Sequence, residues 1–200
     1  NNKKSHVLGF LSRIPRRGGF GRYARGWMLT DTIKYSKSAG PLESQKRLMS
    51  LLGISFKTDQ IEFWPSSHEI KKVQSELLPD RSQKYVGLFP FSNARWHTKR
   101  WPQRYFIQLA QKISDQLNFI PIFVGAAEDA SLEWDEALSK LKCVNLIGKT
   151  SVGELYEVIK RCSAFVSGDS APLHIAAAAQ TPVTALFGPT DAKRHAVPGR

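Results

Sequence analysis

The 200-residue sequence has only two cysteines, Cys143 and Cys162. That is no disulfide framework, and too few on their own for a zinc site. Such usage suits a reducing cytoplasm. No stretch approaches the ~18 consecutive apolar residues that a membrane-crossing helix needs, so none is expected in this segment. The opening Asn1-Asn2-Lys3-Lys4 lacks the apolar core of a secretory leader. No Asp-x-Asp pair occurs, nor a dense His, Cys and carboxylate cluster at ligand spacing, so neither a protein-held metal nor another cofactor is expected. Gly-x-Ser-x-Gly is also missing, which leaves hydrolase chemistry without an obvious nucleophile. Gly148-Lys149-Thr150 ends like a phosphate-wrapping loop, but Cys143 stands where the first glycine of that loop belongs.

Acidic residues are scarce as well. Lys and Arg total 29 against 17 Asp and Glu, for a net charge of +12. Residues 1–37 carry nine basic side chains and one acid, Asp31, and residues 81–112 carry seven basic side chains and no acid. A field of this sign favours acidic partners: a phosphorylated substrate, anionic lipid headgroups or nucleic acid. A solvated basic face that serves solubility is the plainer reading of the first cluster. Apolar residues make up 42% of the chain, enough to bury a core and to argue against disorder.

The second half alternates strand and helix patterns. Short apolar runs predict strands at Tyr85–Phe89, Phe119–Val124, Val144–Ile147, Ala164–Val166 and Val183–Phe187. Between them, Phe106, Leu109, Ala110, Ile113 and Leu117 recur at helical spacing within Gln103–Leu117. Ser151-Val152-Gly153-Glu154 is a capping box that opens a helix over Leu155–Cys162, and Pro172 sits just inside a further helix reaching Ala179. This order implies a parallel sheet covered by helices, a Rossmann-like α/β layer. The first half is less regular. A strand is expected at Val7–Leu11, a loop over Arg16–Arg22, and helices at Pro41–Leu52 and Ser67–Leu78. The boundary is expected near residues 79–84. The first part holds too few elements for a complete α/β domain, and Gly199-Arg200 follow a strand and loop without a closing helix, so an internal fragment is expected.

In such a sheet, ligands bind beyond the carboxyl ends of the strands, where helix N-termini present backbone N–H groups. Three strand-end segments carry polar content there. The first, Pro90 to Pro102, offers Ser92 and Lys99 as groups that can contact phosphate oxygens, or it is simply a cationic helix-start loop anchored by Trp101. The second is Gly168-Asp169-Ser170-Ala171-Pro172-Leu173-His174. Asp169 or Ser170 can serve as an ordinary helix cap, and His174 as a satisfied core histidine. Alternatively Ser170, the helix amides and His174 face one point that receives a diphosphate, with Asp169 near a sugar hydroxyl. The third, Leu186 to Asp191, is a strand entering a Gly-Pro turn that could border the same cleft.

Taken in order, these motifs resemble the heptosyltransferases of glycosyltransferase family 9. The residues that carry the likeness are Ser167 to Ala178, Thr181 to Asp191, Phe89-Pro90 with Lys99-Arg100-Trp101-Pro102, and Gly125-Ala126-Ala127-Glu128-Asp129. The match covers roughly residues 85–200, and the earlier part resembles only the end of the family's first domain. The resemblance implies a GT-B architecture of two Rossmann-like domains: residues 1–80 as the incomplete end of the N-terminal, acceptor-side domain with its linker, and residues 81–200 as the nucleotide-sugar-binding domain, C-terminally incomplete.

The resemblance further implies inverting, metal-independent transfer of heptose from ADP-heptose to the lipopolysaccharide inner core, an acidic glycolipid. By matched position, Lys99 and Ser92 would hold phosphate, Glu128 the ribose, and Thr150 the adenine. Asp169 would contact the heptose, while Ser170 and His174 would reach the diphosphate. The family's general base lies near the start of its first domain, outside this chain, so the catalytic residue stays unknown and the fragment alone is expected to be inactive. Ala171 stands where the family usually has Gly, which puts a Cβ at the closest backbone approach to the sugar phosphate. The expected location is cytoplasmic, peripheral to the inner face of the inner membrane, with the basic first segment against anionic lipid. Another GT-B transferase or an epimerase using a UDP-sugar is the alternative enzyme. A basic nucleic-acid-binding module is the alternative of another class; no recognised reading fold or stacking-aromatic motif supports it, and no nucleic-acid partner is expected.

Overall fold

The computed structural model describes residues 3–21, 26–34, 36, 39–56, 60–92 and 97–192. Two compact units emerge, one within residues 1–59 and one that starts at Gln60.

In the first unit, helix α1 (Lys3–Leu11) is followed by strand β1 (Gly18–Phe20), strand β2 (Asp31–Ile33) and helix α2 (Pro41–Ser50). Two expectations are corrected here. Val7–Leu11 is helical rather than extended; a five-residue run with four apolar side chains is too short for its periodicity to separate the two states. The Gly/Arg-rich stretch is not all loop, since Gly18–Phe20 pairs in parallel with Asp31–Ile33. The pairing is fixed by side chains. Arg17 donates through Nε to the Met28 carbonyl at 2.7 Å, and its own amide donates to Thr30 Oγ1 at 2.7 Å. Arg22 of the same stretch, like Gly199-Arg200, lies outside the described residues.

The second unit is built on five parallel strands: β3 (Tyr85–Phe89), β4 (Ile120–Gly125), β5 (Val144–Ile147), β6 (Cys162–Gly168) and β7 (Val183–Leu186), in the spatial order β5-β4-β3-β6-β7. Each expected strand is present, with ends shifted by a few residues at most. The apolar runs are continuous because the strands are covered on both faces, and every residue of β3 is buried. At Gly87 a side chain has no room: a Cβ there would meet the fully buried Phe165 ring of β6 at 2.4 Å.

Helices link the strands. In α4 (Gln103–Leu117), Phe106, Ala110 and Ile113 are buried at spacings of four and three, and the helix ends at Asn118, whose φ of 53° breaks the turn. Helix α6 (Val152–Lys160) begins at the predicted box, with Ser151 accepting from the Glu154 amide and Glu154 accepting from that of Ser151. Helix α7 (Ala171–Ala178) carries proline in its first turn. One helix, α5 (Leu132–Ser139), was not anticipated; only Trp134 and Leu138 of it are buried, too few to mark a face.

The sheet unit begins well ahead of residues 79–84 because helix α3 (Ser67–Lys72), continued by a wider turn over Val73–Leu77, packs on α6. Ser151 Oγ donates to Glu69 at 2.6 Å, Lys72 pairs with Glu154 at 2.8 Å, and Arg161 donates to the Leu78 carbonyl at 2.6 Å. Val73 and Leu78 complete the core beneath. Both cysteines are free thiols with structural surroundings. Burial pushes Cys162 up to about 12, and Cys143 is also raised by burial. Among the described residues no helix is long and apolar enough to cross a membrane.

Candidate functional site

The chain runs outward from β3 to β4 and β5, then returns to lay β6 against the other side of β3. That reversal splays the loops that follow β3 and β6, the place where doubly wound sheets bind ligands. A cleft of about 670 Å³ opens there, a normal size for a small-molecule site.

Four strand ends contribute to it. The end of β3 and the segment after it give Phe89, Ser92, Lys99 and Arg100; the end of β4 and its loop give Gly125, Ala126, Glu128 and Asp129. Beyond β5 come Thr150, Ser151 and Val152, with Leu155 on α6; beyond β6, Asp169, Ser170, Ala171 and Pro172, with Ile175 on α7. Six of the seven sequence-predicted site residues therefore share one cavity. His174 does not. Its side chain is exposed, and it is absent from the cleft wall. Ala171, Pro172 and Ile175 of α7 line the cavity instead. The Leu186 to Asp191 turn does not line the cleft either. Asn93, Arg95 and Trp96 lie outside the described residues.

Electrostatics divide the cleft. Lys99 Nζ meets Asp169 Oδ2 at 2.7 Å, with their side chains 19% and 11% exposed, and the pair joins the loops after β3 and β6. Arg100 donates to the Ser92 carbonyl at 2.9 Å and to Ser92 Oγ at 3.3 Å. In the same cleft, Asp129 accepts from the Ala126 amide at 3.0 Å. Burial raises its pKa above the usual carboxylate range, opposed by that hydrogen bond and by the charge of Arg100. The Ser170 hydroxyl turns to Ser167 Oγ at 3.2 Å and the Gly168 carbonyl at 3.3 Å, so it does not cap α7 from its side chain. Ser151, by contrast, caps α6 and places the positive end of that helix beside Thr150.

Arg100, Asp129 and Ser151 were not singled out from sequence as site residues. Each had a weak signal: Arg100 and Asp129 adjoin predicted residues, and Ser151 opens a capping box. The walls thus offer two cations for an anionic centre, carboxylates at Glu128 and Asp169 for hydroxyl groups, and an apolar side at Val152, Leu155 and Ile175. Among the described residues, no group of three His, Cys, Asp or Glu could hold a metal ion.

The sequence pattern of glycosyltransferase family 9 (heptosyltransferase) matches residues 1–198. Lipooligosaccharide heptosyltransferase 2 of Haemophilus influenzae is 29% identical over 213 aligned residues, covering 96% of this chain and 59% of that protein. Lipopolysaccharide heptosyltransferase 3 of Escherichia coli is 54% identical over 125 residues, 60% of this chain and 36% of that protein. Among solved structures, Escherichia coli ADP-heptose LPS heptosyltransferase II superposes with a TM-score of 0.74 at 25% identity, covering 98% of this chain and 64% of that one. The chain spans less than two thirds of the length of these relatives.

Proposed function

The chain belongs to glycosyltransferase family 9, the heptosyltransferases, and we propose that it is the donor-binding portion of an enzyme that moves heptose from ADP-heptose to the lipopolysaccharide inner core. In this reading the five-stranded unit is the second, nucleotide-sugar-binding domain of a GT-B enzyme, and the first unit is the tail of the acceptor-side domain.

The observation that carries the reading is the Lys99–Asp169 pair at the sheet's reversal point. An ammonium beside a carboxylate suits a sugar diphosphate: the cation takes the phosphate oxygens and the carboxylate accepts from sugar hydroxyls. Ser92 and Ser170 donate to the diphosphate from either side, Glu128 accepts from the ribose, and Thr150 borders the adenine. His174, outside the cleft here, receives no role in this assignment. As the glycosidic bond breaks, negative charge grows on the leaving diphosphate, and Lys99 with the nearby helix-end dipoles meets it. The general base that deprotonates the acceptor is assigned to the acceptor-side domain rather than to this cleft. The acceptor, a phosphorylated glycolipid, suits the basic first unit, and the protein works in the cytoplasm at the inner face of the inner membrane.

A thermal-shift titration with ADP-heptose, ADP and UDP in parallel tests the reading. A ligand at a hundred times its dissociation constant stabilises a fold by about 2.7 kcal/mol. The adenine ligands should raise the melting temperature and UDP should not; a preference for UDP would keep the fold and change the donor.

A further inference from the structure

Arg100 stands in the cleft wall with no part in the assignment above, and it has two bonds to one partner. Its Nη2 donates to the Ser92 carbonyl at 2.9 Å and its Nε to Ser92 Oγ at 3.3 Å. Ser92 comes shortly after β3 ends, is 9% exposed and lies at the start of the connection to α4; Arg100 lies near its finish, one residue after Lys99. The guanidinium therefore ties the two ends of that connection together. A planar fork can satisfy a carbonyl and a hydroxyl at once, which an ammonium at the same place does less well.

Two consequences follow from the geometry. Lys99 is delivered to the cleft from a backbone whose next residue, Arg100, is anchored to Ser92 by two hydrogen bonds. And a hydroxyl oxygen that accepts from a cation is polarised into a stronger donor, so Arg100 both places Ser92 Oγ and sharpens it. Asp129 lines the same cleft, feels the charge of Arg100 and is raised by its burial.

We propose that Arg100 is the positioning residue for the anionic centre of the ligand: acting through Ser92, it sets the Ser92 hydroxyl and the Lys99 ammonium where a diphosphate is held. The inference rests on the donor-site reading and deepens it. Arg100 determines how strongly the diphosphate counts in binding, while the nucleoside end is held by residues beyond β4 and β5.

The test compares dissociation constants of ADP, AMP and adenosine for the chain and its Arg100→Ala, Arg100→Lys, Ser92→Ala and Arg100→Ala/Ser92→Ala variants, with melting temperature as a fold check. Arg100→Ala should weaken ADP about tenfold, a loss of ~1.4 kcal/mol, and leave adenosine unchanged. Arg100→Lys should recover only part of that loss. The double variant should bind ADP no worse than the weaker single one, because one residue acts through the other. Equal ADP affinity in wild type and Arg100→Ala would overturn the proposal. So would an equal loss of adenosine binding, or additive losses in the double variant. Should Arg100→Ala fail to fold, Arg100→Lys and Ser92→Ala carry the same comparison. A wild-type chain that binds none of the three ligands would instead remove the donor-site reading itself, and this inference with it.

Discussion

Lys99 and Asp169 lie 70 positions apart in the chain, yet their charged atoms meet at 2.7 Å across the two loops that part where the sheet reverses. The pair links those loops and lines the cleft. On the proposed function, a ligand phosphate competes with Asp169 for the ammonium, and the carboxylate so relieved turns to the sugar.

Asp169→Asn should therefore separate the two ends of the ligand. ADP should bind several-fold more tightly, because the internal competitor is gone. ADP-heptose should lose that advantage, because the sugar loses its acceptor. The variant should also be less stable by about 1–3 kcal/mol, between the values for surface and fully buried pairs, since Lys99 is left mostly buried beside a neutral amide. Titration calorimetry on both ligands, with a denaturant melt, checks all three. Equal changes for ADP and ADP-heptose would count against a division of labour.

The contact between α3 and α6 predicts an acid-sensitive clamp. Glu69 accepts from Ser151 and from Ser66, and these hydrogen bonds hold its carboxyl at about 2, against an ordinary 4.5. A depressed carboxylate contributes stability that is fully present above the unfolded value and is lost as pH falls through the folded one. The clamp should weaken progressively from about pH 4.5 towards pH 2. Glu69→Gln should flatten that part of the stability–pH curve, read from urea midpoints at several pH values. An unchanged slope would show that the hydrogen bonds do not favour the ionised form.

The core makes a sharper demand at Gly87. A Cβ there would meet the Phe165 ring at 2.4 Å, and overpacking of this kind costs about 1–3 kcal/mol. Gly87→Ala should lower the melting temperature, and Phe165→Leu in the same chain should restore part of the loss despite being destabilising alone. Simple addition of the two losses would place the strain elsewhere.

The proposed membrane contact rests on charge. Lys4, Arg13 and Arg16 are exposed on the first unit, and each basic residue near an anionic surface is worth about 1 kcal/mol. Sedimentation with vesicles should rise with anionic lipid content and fall with salt. Binding indifferent to both would exclude this mode of docking.

Most of the second unit was legible in the sequence because parallel strands are buried on both sides and write themselves as unbroken apolar runs, Tyr85–Phe89 above all. Gln103–Leu117 and the Ser151–Glu154 box were equally plain, since periodicity and capping are local. The first unit was not. Gly18-Gly19 is a poor strand former by propensity, and the pairing with Asp31–Ile33 is a tertiary fact. Helix α5 hid because Leu132, at 87% exposed, points away from the core its neighbours reach. In the site, strand-end position pointed to Ser92, Lys99, Asp169 and Ser170, and the family resemblance added Glu128 and Thr150. What the sequence could not express was who meets whom: that Lys99 pairs with Asp169, that Arg100 turns back to Ser92, and that Ile175 lines the cleft while the adjacent His174 is exposed outside it.

The central claim is that this cleft holds a nucleotide sugar through Lys99. The most direct measurement is titration calorimetry of ADP-heptose into the wild-type chain and Lys99→Ala. The account predicts binding by the wild type and at least a tenfold loss in the variant, whose melting temperature stays within a few degrees of wild type. No binding by the wild type, or equal affinity in a folded Lys99→Ala, would contradict it.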